Sequence, residues 1–320
     1  MEFMKIGVLD SGYDSYSIEK ELLEKNGFEL DVFDDHFGDR ESKIRFAKDK
    51  TGLLIRQTEI DKRFLDELPG LKVIVRYGIG YDNINLEEAR AHGVKVANVQ
   101  GYATRCVAEH AMALMFACLR SLYKGVTEIR EQYGKPPIPD IYELHDKTLG
   151  IIGLGRIGSR FALNCRPLFK RILAVDPYIE PGRFSETGTV RTELTNLLNS
   201  SHVISIHCNL NGETFHMINR ESIDLMRNRP IIINTARGPI INEKDLLWAL
   251  NEWRIHSAGI DVWEDEPLTS RQESLVSHPR VVSTGHYAWY SEDSAIELQK
   301  RAAENMIALL AGKTISDRLV

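Results

Sequence analysis

The sequence has no long apolar run, few cysteines and no surplus of basic charge. Its most apolar helical segment, Ala111 to Leu119, runs for nine residues between Glu109-His110 and Arg120, where a bilayer-spanning helix needs roughly 20. A membrane span of that kind is excluded. The four cysteines, Cys106, Cys118, Cys165 and Cys208, lie 12, 47 and 43 positions apart, which makes neither a C-x-x-C redox pair nor a zinc ligand set. No metal is expected, and cysteines so used fit a reducing, cytoplasmic compartment. Lys and Arg total 40 against 46 Asp and Glu, a net charge of −6. Without a basic field, nucleic acid is not an expected partner. The chain also opens without a charged leader and apolar core of the signal-peptide type, since Lys5 to Asp10 reads as a strand ending in an acid.

What is present is an ordinary globular composition, 43% hydrophobic and 27% charged over 320 residues, enough for two domains at roughly 150 residues each. Short β-branched runs recur, each followed by a Gly or Asp turn and a helical stretch, the pattern of parallel strand-helix-strand units. The first series is Lys5 to Asp10, Glu29 to Phe33, Leu53 to Arg56, Leu71 to Val75 and Val94 to Val99. The second is Thr148 to Gly153, Ile172 to Asp176, Val203 to His207, Ile231 to Thr235, Ser257 to Val262 and Val281 to Thr284. Two α/β sheets are therefore expected. Between them lies Val107 to Tyr123, apolar on most faces, a helix for either a domain junction or a subunit interface. Gln132 to Asp140, with three prolines and a glycine, is the expected irregular connection.

Gly153-Leu154-Gly155-Arg156-Ile157-Gly158 is a G-x-G-x-x-G. Alone the pattern is weak, but it follows the apolar strand TLGII and opens a helix. The glycines can then make the tight turn, admit a pyrophosphate to the backbone and let the helix pack on the sheet. Asp176, 18 positions after the last glycine, ends the next strand, where a carboxylate can accept hydrogen bonds from a ribose. It would repel a 2′-phosphate, and no basic residue follows before Arg183, so NAD is favoured over NADP. A ligand-free glycine turn is the plain structural alternative, and flavin or S-adenosyl cofactors stay open on these residues alone.

In an open parallel sheet, ligands bind beyond the carboxyl ends of the strands. Three ionisable residues stand there in the second series: Arg237 in NTARG, Glu266 in DVWEDEP and His286 in STGHYAWYS. An imidazole suits proton transfer at an oxygen-bearing carbon near neutral pH. Glu266 would hold the ring and favour its charged form. Arg237 offers a rigid fork of donors to a carboxylate or carbonyl.

With these residues assembled, the chain resembles the D-isomer-specific 2-hydroxyacid dehydrogenases over essentially its whole length. The matching stretches are RYGIGYDNI (Arg76 to Ile84), VAEHAMAL (Val107 to Leu114), GLGRIG, HCNLNGET (His207 to Thr214), NTARG and GIDVWEDEP (Gly259 to Pro267). HCNLN and the ending His286, Ala288, Trp289, Tyr290, Ser291 look most like the C-terminal binding protein branch, and other stretches resemble phosphoglycerate and glycerate dehydrogenases. The resemblance implies catalytic Arg237, Glu266 and His286. It implies Asp261 and Thr235 near the nicotinamide, and Arg156, Ile157, Cys208, Thr214 and Ala236 among the cofactor contacts. The substrate carboxylate would be read by backbone amides at Gly78, Ile79 and Gly80, together with Arg237. It also implies a homodimer, a flavodoxin-like substrate domain from residues 1–98 and 285–320, and a Rossmann NAD domain at 99–284. Three positions depart from the common pattern: Gln100 and Asn209 where prolines are usual, and Cys106 at a helix start, read as a half-buried structural thiol.

The expected function is NAD(H)-dependent interconversion of a small anionic 2-oxo acid and a D-2-hydroxy acid. The rival is an NADH-responsive binding protein with little turnover. A third, weaker reading is a zinc or S-adenosyl enzyme on the same fold. Tyr77, Ile79, Tyr102 and Trp289 are expected to crowd the substrate pocket, with Tyr102 and Trp289 equally readable as core.

Overall fold

A computed structural model describes residues 4–34, 38–122, 125 and 141–320. Tyr123 and the expected connection at Gln132 to Asp140 lie outside the described residues. The chain divides into two compact units, Met1–Ala103 with Ser291–Val320, and Thr104–Tyr290. The sequence-based expectation put these divisions at 98/99 and 284/285, against 103/104 and 290/291 by contacts.

In the first unit, β1 (Met4–Val8), β2 (Phe28–Val32), β3 (Gly52–Ile55), β4 (Val73–Arg76) and β5 (Lys95–Ala97) form one sheet in the order β2-β1-β3-β4-β5. All its ladders are parallel, and the order is that of flavodoxin-like folds. In the second unit the strands are β6 (Thr148–Ile152), β7 (Arg171–Val175), β8 (Val190–Arg191), β9 (Val203–Ile206), β10 (Ile231–Asn234), β11 (Ser257–Ile260) and β12 (Val281–Ser283). They are ordered β12-β11-β10-β9-β6-β7-β8, again all parallel. This is the dinucleotide-binding order with one strand added at an edge. Strands such as IIIN of β10 and VISI of β9 are buried at every position, as both-face coverage by helices requires. Among the described residues, the two-residue β8 is the one strand the pattern missed, being too short to carry a period.

The Thr104–Leu119 helix packs on its own unit's sheet, against the Arg156–Cys165 helix and strands β10 and β11. Ala108, Ala111, Leu114, Met115 and Cys118 join a core with Leu149, Phe161, Ile231 and Ile233. Gly259 permits the close approach, because a Cβ there would stand 2.8 Å from Leu114 Cβ. Among the described residues no helix is long and apolar enough to cross a membrane.

In the first unit, Asp10 lies just past β1 and binds the loop that leaves β3. Its carboxylate accepts from the amides of Arg56, Gln57 and Thr58 at 2.8, 2.9 and 2.9 Å, and from Lys43 Nζ at 2.8 Å. Burial pushes its pKa up, but Lys43, the Thr58 hydroxyl and these amides more than offset that and bring it down to about 2. A depressed carboxyl contributes stability that is full above the ordinary value of 3.8 and is lost as pH falls toward about 2. Asp10→Asn is therefore expected to lower stability by about 2 kcal/mol at neutral pH. In urea titrations the gap to wild type should close on acidification, and a gap of constant size would show that the charge is not what stabilises this loop.

Candidate active site

The glycine loop joins β6 to the Arg156–Cys165 helix, and each glycine meets a different constraint. Gly153 has φ +90, and a Cβ there would lie 2.5 Å from the Cys208 amide nitrogen. A Cβ on Gly158 would lie 2.0 Å from the Gly153 carbonyl oxygen. Gly155 is different, since a Cβ there would meet nothing within 4 Å. Its lack of a side chain leaves open space beside helix amides that have no intrahelical partner, a cradle for an anionic group. Arg156 is exposed at the helix start, and Ile157 packs against the core beneath.

Asp176 follows β7, as expected, and its carboxylate binds the loop itself. Oδ2 accepts from the Leu154 amide at 2.8 Å and Oδ1 from the Tyr178 amide at 3.0 Å. Past β9, on the other side of β6, Cys208 is partly buried, and burial pushes its thiol up to about 11. Thr214 closes its loop by donating to the Asn209 carbonyl at 2.7 Å. Thr235 Oγ1 is buried and has no protein partner, which suits a residue that meets a cofactor amide. The donor set, the open glycine and this orphaned hydroxyl together fit a dinucleotide.

At the end of β10, Asn234 shapes the NTARG turn by accepting from the Ala236 amide at 3.0 Å and donating to the Arg237 carbonyl at 2.9 Å. Gly238 is required there, because a Cβ would overlap the Trp263 carbonyl. Glu266 Oε1 accepts from the Trp263 amide at 2.9 Å, and Oε2 lies 2.5 Å from His286 Nδ1. Burial pushes the Glu266 carboxyl up, but His286, the Trp263 amide and the nearby Arg237 charge outweigh it, and the net direction is down. All three residues thus share one edge of the second sheet, and Glu266 feels the charge of both others.

The other histidines differ in kind. His207 is enclosed below the glycine loop, its pKa pushed down by burial to about 3, so it stays neutral. His286 has a side chain 44% exposed, with Nε2 the ring nitrogen that Glu266 does not use. Its backbone is left-handed, φ 55, at a cost of order 1–2 kcal/mol for a non-glycine residue. That cost is met by Asp261. Its main-chain oxygen accepts the His286 amide at 2.7 Å, and its buried carboxylate accepts from the Tyr287 and Ala288 amides. The resemblance put Asp261 near the nicotinamide; in this structure its carboxylate is engaged with the loop that carries His286. No spacing rule pointed to that, because the partners are backbone amides.

In the first unit the Gly78–Gly80 turn is tied down by its carbonyls, Gly78 O accepting from Val99 N at 3.0 Å and Ile79 O from Asn98 Nδ2 at 2.7 Å. Gly78 has φ +124, and Arg76 Nη1 would clash with any Cβ there. Tyr77, expected to line the pocket, is instead core: it is 2% exposed, and its hydroxyl donates to the buried Glu19 at 2.7 Å. An aromatic at a strand end reads alike whether it faces a pocket or the interior. Cys106 is partly buried, with Sγ 3.0 Å from the Tyr290 carbonyl.

Residues 112–288 match the family model described as D-isomer specific 2-hydroxyacid dehydrogenase, NAD binding domain. A glyoxylate reductase from Korarchaeum cryptofilum is 34% identical over 292 residues, 89% of this chain and 88% of that protein. The apo-structure of D-lactate dehydrogenase from Escherichia coli superposes with a TM-score of 0.84 at 30% identity, covering 99% of this chain and 100% of the other. D-lactate dehydrogenase from Aquifex aeolicus, solved with NAD and lactic acid, gives 0.85 at 25% identity, covering 96% of each chain.

If Asp176 joins the loop to the cofactor, Asp176→Ala should weaken NADH about tenfold, the scale of one charge-assisted hydrogen bond. The preference for NADH over NADPH should narrow with it in fluorescence titrations. An unchanged ratio of the two affinities would detach Asp176 from cofactor choice.

Proposed function

We propose, for a chain that belongs to the D-isomer-specific 2-hydroxyacid dehydrogenase family, that His286 is the acid-base catalyst, Glu266 its partner and Arg237 the substrate anchor. The activity is that of an NAD-dependent oxidoreductase acting between a small 2-oxo acid and a D-2-hydroxy acid. The observation that carries the assignment is the 2.5 Å contact of His286 Nδ1 with Glu266 Oε2, beside Arg237 and on the sheet edge that holds the glycine loop. The dinucleotide, when bound, supplies or accepts the hydride. Gly153, Gly155, Gly158, Asp176 and Thr235 would hold it, with Arg156, Ile157, Cys208, Thr214, Ala236 and Asp261 nearby.

In reduction, His286 gives its Nε2 proton to the substrate oxygen and becomes neutral; in oxidation it takes that proton back. Glu266 holds the ring through Nδ1 and leaves Nε2 for the substrate. Arg237 meets the substrate carboxylate or carbonyl and offsets the negative charge that grows on oxygen. The amides of the Gly78, Ile79 and Gly80 turn read the carboxylate. Residues 1–98 with 285–320 serve as the substrate domain and 99–284 as the NAD domain. Glyoxylate and the pyruvate–lactate pair are the first substrates to test, after the named relatives. The sensor reading is not favoured, since those relatives are reductases and dehydrogenases.

The four free thiols fit a cytoplasmic enzyme. A homodimer is supported by the Thr104–Leu119 helix, on which Ala113 is exposed and Met112 and Phe116 are half-buried. A light-scattering mass near 36.4 kDa, that of a monomer, would argue against it.

His286→Ala is expected to lower kcat at least about a hundredfold, the usual scale of a lost proton carrier, with NADH affinity kept. Unchanged turnover would remove His286 from the chemistry. Glu266→Gln should impair reduction most at the alkaline end of the profile. There the Glu266 carboxyl is fully ionised, so its replacement is felt in full. The carboxylate's own contribution is lost as pH falls through its lowered pKa, so wild type and variant should converge in acid. Superimposable profiles would separate Glu266 from the proton transfer.

A further inference from the structure

The segment bearing His286 hangs from Asp261, and Asp261 is held in turn by a residue that the proposed chemistry does not use. Asp261 Oδ1 accepts the Thr284 hydroxyl at 2.6 Å and the Tyr287 amide at 3.2 Å, while Oδ2 accepts the Ala288 amide at 3.0 Å. An ionised carboxylate only accepts, so the single Thr284 hydroxyl proton is committed to Asp261. That leaves Thr284 Oγ1 as an acceptor, and His110 Nε2 lies 3.1 Å from it. The direction of this chain fixes the tautomer, with the proton of His110 on Nε2. Burial pushes the His110 pKa down and the Asp261 charge opposes it, with a net lowering. A neutral ring with one N–H is the form that serves this geometry. The ring also meets Tyr287 edge-on, with centroids 5.2 Å apart.

We propose that His110, donating through Thr284 to Asp261, is a positioning residue for the reaction and sets where His286 stands. The Thr104–Leu119 helix brings His110 in from outside the strand-end loops, so it braces the 284–288 segment from a second direction. Its other ring contact, with Tyr287, falls on the residue next to His286. Nothing in this arrangement requires His110 to touch substrate or cofactor. The proposal rests on the reading of His286 as proton carrier.

The test compares kcat, the KM for the 2-oxo acid and the NADH dissociation constant across His110→Leu, His110→Gln, Thr284→Val, the Leu/Val double variant and His286→Ala. His110→Leu and Thr284→Val should each lower kcat about tenfold, as expected for a misplaced catalytic group, with NADH affinity unchanged. His110→Gln keeps an N–H donor and should recover most of the loss. The double variant should be no worse than either single one, because both break one chain. Additive losses, or a Gln variant as poor as Leu, would overturn the proposal. So would a loss confined to KM or to melting temperature. Should His110→Leu fail to fold, Thr284→Ser against Thr284→Val decides, since only Ser keeps the hydroxyl. Full turnover in His286→Ala would remove the underlying reading by itself. Loss there with a fully active His110→Leu removes only the positioning role.

Discussion

Asp261 follows β11 and is buried, and a carboxylate so enclosed is tolerable only where donors replace the water it has lost. The donors here are the Thr284 hydroxyl and the amides of Tyr287 and Ala288. Each belongs to the segment that follows β12, so the carboxylate and the loop solve one another's problem. The acid needs donors, and a chain leaving the sheet needs acceptors for amides that no ladder will pair. His286 stands within that loop in a left-handed conformation. Such strain persists only where the surroundings over-determine it, which is what the four hydrogen bonds to Asp261 accomplish.

The same device recurs along both sheets. Asp10 past β1 accepts three successive amides, Asp176 past β7 accepts the Leu154 and Tyr178 amides, and Asn234 at the end of β10 bridges Ala236 and Arg237. A parallel strand ends with its neighbour's loop departing beside it, and a short acidic or amide side chain reaches that loop without a long flexible stem. The edge where ligands bind in this architecture is thus also where backbone amides most need acceptors. Two kinds of carboxylate therefore gather there, those that hold loops and those proposed to serve chemistry. Asp176 stands between the kinds: it fixes the glycine loop from within and is the residue proposed to meet the ribose.

How much of this was legible follows from what leaves a trace in sequence. Strands buried on both faces are written as apolar runs, and β6, β9 and β10 were read within a residue of their bounds. The glycines with distinct steric roles were legible because only glycine fits Gly153 and Gly158. His286, Glu266 and Arg237 were legible as a set because the sheet delivers strand ends to one edge whatever their spacing. His110 and Thr284 left no such trace. A helix histidine and a strand-end threonine are common, and their alignment with Asp261 exists only once the helix lies on the sheet at the depth that Gly259 allows. Tyr77 was misread for a related reason: its hydroxyl partner, Glu19, comes from a helix 58 positions away, and nothing local says which way the ring turns.

On the proposed mechanism, the contrast between Asp261 and Glu266 explains why the site uses two carboxylates. Asp261 is 1% exposed and surrounded by neutral donors, so it is a fixed point for the backbone. Glu266 is 35% exposed and paired with an exposed imidazole. A single acid asked to do both would loosen the His286 loop each time its partner's charge changed. On the proposed mechanism, separation lets the ring give up its proton beside Glu266 while its main chain stays held by Asp261. The backbone anchor and the electrostatic partner meet different parts of His286, Asp261 its main-chain amide and Glu266 its ring. On the proposed mechanism, a change at Glu266 then acts on the proton, and a change in the Asp261 chain acts on position.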